Sequence, residues 1–300
     1  MGAESQHCNA PPSTVRDTPP APQGERRWQR SRLFDLPAER SDQQIEELRE
    51  LATVFVDPQA FVEAELSSAG ETAAYRLRGS GLTVVLRHGS RDLGVLDEVF
   101  RRRYYALPAP VTTILHSLGR PPAAVDLGAH IGLFGVWLTE HYPGARITAF
   151  EPDRFNFAVL ERCLEENAGR MRCDPVQAVA ATSPGTVPFV EGDFSTSRPG
   201  SEEESGAGEV DQVDVLPHLV EADLLKADVE GGEWPVLADP RLRDTRVRAL
   251  VLEYHPYDGP EEDPRPEVER LLADAGFRST ERLFHRSDGV GMLWAWREEA

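Results

Sequence analysis

Five side chains that can do chemistry stand at the ends of apolar runs. Asp126 closes residues 123–126 (AAVD), Glu151 follows 146–150 (RITAF), Asp228 and Glu230 follow 223–227 (DLLKA), and His255 follows 247–254 (VRALVLEY). Carboxylates there can accept hydrogen bonds from a diol or an ammonium group, and an imidazole changes charge near neutral pH and can move a proton. Apolar runs of this length read as buried strands, and open α/β sheets hold their ligands beyond the carboxyl ends of the strands. The five groups, far apart in sequence, are therefore expected to converge. Each also has a plain structural reading: Asp126 can brace the loop after it, Glu230 can cap a helix, and His255, before Pro256, can simply end a strand.

The first run passes into residues 128–132 (GAHIG), after which Leu133, Val136, Trp137 and Leu138 recur at helical spacing. A strand, a tight loop and a helix are specified, with Gly128 and Gly132 supplying backbone freedom and close approach. In the dinucleotide fingerprint the second glycine lets the backbone touch a pyrophosphate, and here that position is His130. Glu151, at the end of a second strand, suits an acid that accepts from both ribose hydroxyls. S-adenosylmethionine keeps the ribose and adenine but replaces the phosphates with a zwitterionic methionine tail and a sulfonium. It is the expected cofactor, lined by Asp126, Gly128, Ala129, His130, Gly132, Glu151, Pro152, Val179 and Asp228. Methyl transfer from a sulfonium is an in-line displacement to which orientation contributes up to about 7–11 kcal/mol, and a general base adds on the order of 10²–10⁴ in rate. The catalytic candidates are Asp228 to align the acceptor, His255 as base ahead of His130 or Asp228, and Glu230. Asp228, Glu230 and Glu253 lack a metal-specific spacing, so no metal is expected. Lys226 is the only lysine, and two residues before Asp228 it shares that side chain's face of a strand.

These groups need a scaffold. Residues 1–35 are rich in proline and polar side chains and are expected to be a disordered tail. Residues 36–120 are expected to form a helix/hairpin/helix extension. In it Ser41 caps a helix running to about Phe55, residues 75–78 and 82–86 flank Gly79-Ser80-Gly81, and Leu93, Leu96, Val99 and Phe100 share a later helical face. From about 121 to 300 strands alternate with helices, the pattern of a parallel sheet covered on both faces. Asp153 caps a helix that buries Leu160, Cys163 and Leu164; residues 176–179 form a third strand that 186–190 extends or pairs with. Residues 266–275 form a helix, and residues 281–285 and 292–296 a closing hairpin. Residues 191–214, with Glu202, Glu203, Glu204, Glu209, Asp211 and Asp214 against Arg198, read as a long irregular acidic insertion or lid.

Composition bounds the partners. The chain has 32 basic and 51 acidic side chains, a net charge of −19, and 40% hydrophobic residues. Such charge repels phosphate backbones and anionic lipid surfaces, so neither nucleic acid nor membrane is expected as a partner, and Arg101-Arg102-Arg103 reads as a solvated helix face. Cys8, Cys163 and Cys173 form no C-x-x-C pair, and neither an apolar run of about 18 residues nor a signal-peptide pattern is present, so a cytoplasmic protein is expected. A homodimer is the one higher assembly kept open.

Three segments together resemble the FkbM-type family of class I S-adenosylmethionine-dependent methyltransferases: residues 125–132 (VDLGAHIG), residues 150–153 (FEPD) with Phe155 and Asn156, and above all residues 223–233 (DLLKADVEGGE). Residues 90–100 (SRDLGVLDEVF) with Tyr104 and Tyr105 are similar to the segment that precedes that family's core, and the likeness spans roughly 75–297. It implies a Rossmann-like, seven-stranded mixed sheet with helices on both faces. It also implies S-adenosylmethionine as methyl donor and a hydroxyl on a small-molecule natural product, sugar or related metabolite as acceptor. The family commonly carries Asn where this chain has His130, and residues 177–180 (QAVA) offer no acid to adenine, which leaves backbone groups near Val179. Two other readings stay open at this point: a non-catalytic protein that binds S-adenosylmethionine, and an NAD(P)-linked Rossmann oxidoreductase.

Overall fold

The apolar runs become strands because each has a helix-covered face on both sides. The computed structural model of the chain describes residues 31, 33, 35, 40–67, 70–190, 198–199, 208–256, 263–285 and 289–297. The expected tail at 1–35 lies almost wholly outside these residues, as does most of the expected lid.

Helix α1 (Asp42–Ala52) starts at a capping box in which Ser41 accepts from the Gln44 N–H and the Gln44 side chain accepts from the Ser41 N–H. Then come α2 (Pro58–Ser67), the hairpin β1 (Thr72–Arg76) and β2 (Thr83–Arg87), α3 (Asp92–Leu96) and α4 (Ala109–Ser117). The helix expected through Phe100 is split: α3 passes into a π-helical turn, Asp97–Arg101. The buried Asp97 carboxylate bonds Arg101 and Arg102, and Glu47 lies near both, so these arginines are paired locally rather than solvated.

The core follows with β3 (Ala123–Leu127), α5 (Leu133–His141), β4 (Arg146–Phe150), α6 (Arg154–Glu166) and β5 (Arg172–Val176). Next are four short strands, β6 (Val179–Ala181), β7 (Gly185–Val190), β8 (Arg198–Pro199) and β9 (Gly208–Asp214), and then α7 (Leu216–Leu219), β10 (Leu224–Ala227), α8 (Glu233–Ala238), β11 (Ala249–Tyr254), α9 (Arg265–Asp274), β12 (Ser279–His285) and β13 (Gly291–Trp296). The principal sheet has seven strands in the order β12-β13-β11-β10-β3-β4-β5, parallel except for β13. The expected mixed sheet and closing hairpin are present. The third strand, however, is β5, and it ends at Val176. Val179 starts β6 in a separate four-stranded sheet, β6-β9-β7-β8, because a turn with Ala178 N–H on the Val176 carbonyl redirects the chain. Residues 208–214 are strand β9 of that small sheet rather than irregular chain, held by five register pairs to β7.

The strand order reverses between β3 and β10, so the connections leave in opposite directions and open a crevice at their carboxyl ends. Side-chain alternation then sorts the strands' residues. Ala124, Leu224, Ala249, Val251, Met292 and Trp294 pack on one face with α5, α6 and the N-terminal elements, while Val125, Leu127, Leu225, Leu250, Leu252 and Leu293 pack on the other. By the same alternation Asp126, Lys226 and Glu253 fall on the first face, next to the N-terminal elements. Asn167, fully buried after α6, fastens the hairpin there: it accepts the Thr83 N–H at 2.8 Å and donates to the Thr83 carbonyl at 2.7 Å.

Candidate active site

Lys226 stands directly opposite Asp126 in the parallel register of β10 and β3. Its ammonium lies 3.2 Å from Asp126 Oδ1 and 3.8 Å from Asp228, and donates to the carbonyls of Leu127 (3.3 Å) and Gly128 (2.5 Å). The one lysine thus ties the glycine loop to the two strand ends rather than serving Asp228 alone. Asp126 is 1% exposed, yet neither of its carboxylate oxygens has a hydrogen-bond partner of good geometry, and burial leads the effects that raise its pKa.

The loop is shaped by backbone conformations that glycine favours. Gly128 has φ of 77°, and a Cβ there would come within 1.8 Å of the Asp228 carbonyl oxygen, so the loop presses against the end of β10. Its N–H and that of Ala129 both bond the Phe150 carbonyl. His130 is left-handed at φ of 52°, and Gly132, at φ of 85°, packs under Leu160. The turn delivers the His130 N–H to Glu151 Oε2 at 2.7 Å; Oε1 accepts the Asp153 N–H at 3.0 Å and the Asn156 amide at 3.4 Å. Glu151 is buried, and burial raises its pKa against these donors. Asp153 caps α6 through the N–H groups of Phe155 and Asn156, as expected. Pro152 is half-buried between Glu151 and Asp153.

A second circuit reaches this loop from the N-terminal elements. The Arg87 guanidinium holds Asp92 with two hydrogen bonds (2.7 and 2.8 Å) and donates to Asn156 at 2.7 Å, while Asp92 lies 3.3 Å from His130 Nε2. Glu151, Asn156, Arg87, Asp92 and His130 therefore close a ring of polar contacts. Arg87 and Asp92 escaped the sequence reading because a charged residue at the end of an apolar strand, or in the first turn of a helix, reads as an exposed one. Both are buried. Burial raises the Asp92 pKa, but the bonds from His130 and Arg87 outweigh it and hold the carboxyl far below its usual range.

Across the crevice, one ligand atom each from Asp228, Glu230 and His255 lies within 4.8 Å of the others. His255 is 4% exposed. Its Nδ1 is 3.1 Å from Glu233 Oε1 and its Nε2 is 3.5 Å from Glu230 and 4.0 Å from Glu253. Glu233, fully buried at the start of α8, also accepts the N–H groups of His255 (2.6 Å) and Gly231 (2.9 Å), and Trp234 Nε1 donates to the His255 carbonyl at 2.7 Å. Burial pushes the imidazolium pKa down, but the Glu233 bond and the charges of Glu253 and Glu230 raise it to about 10. The surrounding carboxylates favour the protonated imidazolium.

Two groups missed from sequence stand beside this cluster. Half-buried Glu98, on the π-helical turn, is pushed well above the usual carboxylate range by burial and by Glu253 and Asp97. Tyr105 packs edge-on to Phe134 at 5.0 Å between ring centroids, and burial, then Asp228 and Asp126, raise its phenol. Chain turns that no periodicity announces put them there. Of the residues expected around a cofactor, Asp126, Gly128, Ala129, His130, Gly132, Glu151 and Asp228 share this end of the sheet; Val179 belongs to the small sheet.

The family model described as the methyltransferase FkbM domain matches residues 126–279. The methyltransferase sdnD of Sordaria araneosa is 31% identical over 220 residues, covering 59% of this chain and 82% of that protein. The AMB antimetabolite synthetase AmbE of Pseudomonas aeruginosa is 36% identical over 121 residues, covering 37% of this chain and 5% of that protein. The crystal structure of an FkbM methyltransferase from Methylobacillus flagellatus aligns at a TM-score of 0.42 and 16% identity over 85% of this chain, which spans 59% of that one. The family match runs from Asp126, the first carboxylate of the site, past His255 and across more than half of the chain, and this protein therefore belongs to the FkbM methyltransferase family.

Proposed function

We propose that this methyltransferase moves the methyl group of S-adenosylmethionine to an oxygen of a small-molecule acceptor, a natural product, sugar or related metabolite. The observation that carries the reading is the buried Asp126 carboxylate, paired with Lys226 but with neither oxygen in a hydrogen bond of good geometry, beside a loop whose backbone runs against Asp228. A buried carboxylate whose hydrogen-bonding capacity is not filled gains from a further donor, and the ammonium of the methionine tail has the charge and the donors. Glu151 keeps lone-pair capacity beyond its three donors and suits the ribose hydroxyls. The cofactor supplies the electrophilic methyl when bound. The chain's residues orient it and hold the acceptor opposite.

On the acceptor side Asp228, Glu230 and Glu253 are each about a quarter to a third exposed. Such carboxylates accept hydrogen bonds from hydroxyl groups and disfavour a phosphorylated acceptor. In this arrangement Asp228 aligns the acceptor hydroxyl. The antimetabolite synthetase among the similar proteins is consistent with a small-molecule acceptor.

The test is calorimetry of the full chain with S-adenosylmethionine, its demethylated product and NADPH, followed by transfer of a labelled methyl group to a panel of hydroxylated, amino and phosphorylated compounds. Binding of the first two alone, with label in an ether linkage of a neutral acceptor, is expected. Binding of NADPH instead would restore the oxidoreductase reading. Donor binding with no labelled acceptor in host extracts would favour a non-catalytic binding protein, and label on nitrogen would overturn the oxygen assignment.

A further inference from the structure

Asp228 and Glu230 follow β10 and His255 follows β11, adjacent strands whose ends splay into the same crevice. Two carboxylate oxygens and one imidazole nitrogen lie within 4.8 Å of one another, a span that one ion can bridge. The imidazole is also aimed. Glu233 lies 3.1 Å from Nδ1 and is itself fixed by two backbone N–H groups, so Nε2 faces Glu230 and Glu253. A carboxylate behind one ring nitrogen, leaving the other toward further carboxylates, is the arrangement that sets the tautomer and orientation of a metal-ligating histidine.

We propose that Asp228, Glu230 and His255 form a binding site for one divalent transition-metal ion at the acceptor side of the methyltransferase crevice. A donor set of one imidazole nitrogen and two carboxylates favours Mn²⁺, Fe²⁺, Co²⁺ or Zn²⁺ over Ca²⁺. Three protein ligands leave positions for water and for an oxygen of the acceptor. The ion takes the place of the proton on Nε2, and Glu253 lies 4.0 Å from that nitrogen. The role toward an acceptor rests on the methyl-transfer reading, whereas the site itself is measured without donor or acceptor.

The full chain, dialysed against EDTA and then against chelator-free buffer, is titrated with MnCl₂ while free Mn²⁺ is followed by electron paramagnetic resonance, and with CoCl₂ while the visible spectrum is followed. One ion per chain is expected, with a Co²⁺ spectrum showing nitrogen ligation. His255→Gln, Asp228→Asn and Glu230→Gln are each expected to weaken binding at least tenfold, and for Asp228→Asn and Glu230→Gln melting in EDTA stays within a few degrees of the parent. Glu230→Gln keeps the test decisive should a variant of buried His255 fail to fold, because the Glu230 side chain is 28% exposed. No saturable binding at millimolar free ion, or binding that survives Glu230→Gln and Asp228→Asn unchanged, would overturn the site and leave the cluster as a protonated histidine among carboxylates.

Discussion

Glu151→Ala separates donor binding from folding. In the parent the carboxylate accepts the His130 and Asp153 N–H groups at 2.7 and 3.0 Å, with the Asn156 amide at 3.4 Å. Two ribose hydroxyls bonded to a buried carboxylate contribute about 1.5–3 kcal/mol each. Their loss together amounts to about 3–6 kcal/mol, a weakening of roughly 10²- to 10⁴-fold. The substitution also leaves two N–H groups without an acceptor, at about 1–3 kcal/mol each if no water reaches them. The melting temperature must therefore be measured first, and calorimetry with the demethylated product run well below it. Glu151→Gln supplies the pH arm. Burial raises the Glu151 pKa, so the charged form that accepts both hydroxyls is lost as pH falls toward that raised value, and donor affinity falls with it. The glutamine variant lacks this dependence. A folded Glu151→Ala chain that binds the product within threefold of the parent would refute the placement of the ribose.

Three further perturbations test the frame around the site. Gly128→Ala puts a Cβ 1.8 Å from the Asp228 carbonyl at a φ of 77°, so about 2–5 kcal/mol of stability should be lost; an unchanged urea midpoint would contradict the close approach. Asp92→Asn leaves the buried Arg87 without its charge partner and should cost about 3–5 kcal/mol at pH 7. Because the Asp92 pKa is depressed in the folded chain, its stabilisation is present above the unfolded value of about 3.9 and fades as pH falls below it, so the variant's deficit should shrink at pH 3; a parent-like denaturation curve at pH 7 would remove the ring of contacts from the account. Asp228→Asn should lower turnover at least a hundredfold while changing donor affinity only a few-fold, measured by single-turnover kinetics beside calorimetry; full turnover would place acceptor alignment elsewhere.

The alternation of strands and helices, the closing hairpin and the α6 cap were legible because each rests on local pattern, apolar runs and the Asp153 cap among them, whereas the count of seven strands came from the family resemblance. The split of α3 into a π-helical turn was not legible, since Leu93, Leu96 and Val99 suit either form, and the choice follows from Asp97 turning inward to Arg101 and Arg102. The small sheet was partly legible. Thr186 to Val190 read as strand, but its partner β9 lay in a stretch whose glutamates and aspartates suggested loop, and cross-strand pairing overrode that composition.

By itself the sequence determined which strand ends carry Asp126, Glu151, Asp228, Glu230 and His255, because a strand's boundaries and the face of each residue follow from its own apolar pattern. Only the tertiary structure decided what each of these groups meets. The register of β10 on β3 sets Lys226 against Asp126, the end of β2 and the start of α3 carry Arg87 and Asp92 to Asn156 and His130, and α8 brings Glu233 behind His255. Protonation and metal affinity depend on charges a few ångströms away through space, contributed by residues up to about a hundred positions apart in the chain. No local pattern records those distances, and this is why the sequence could not show Glu233 set behind His255.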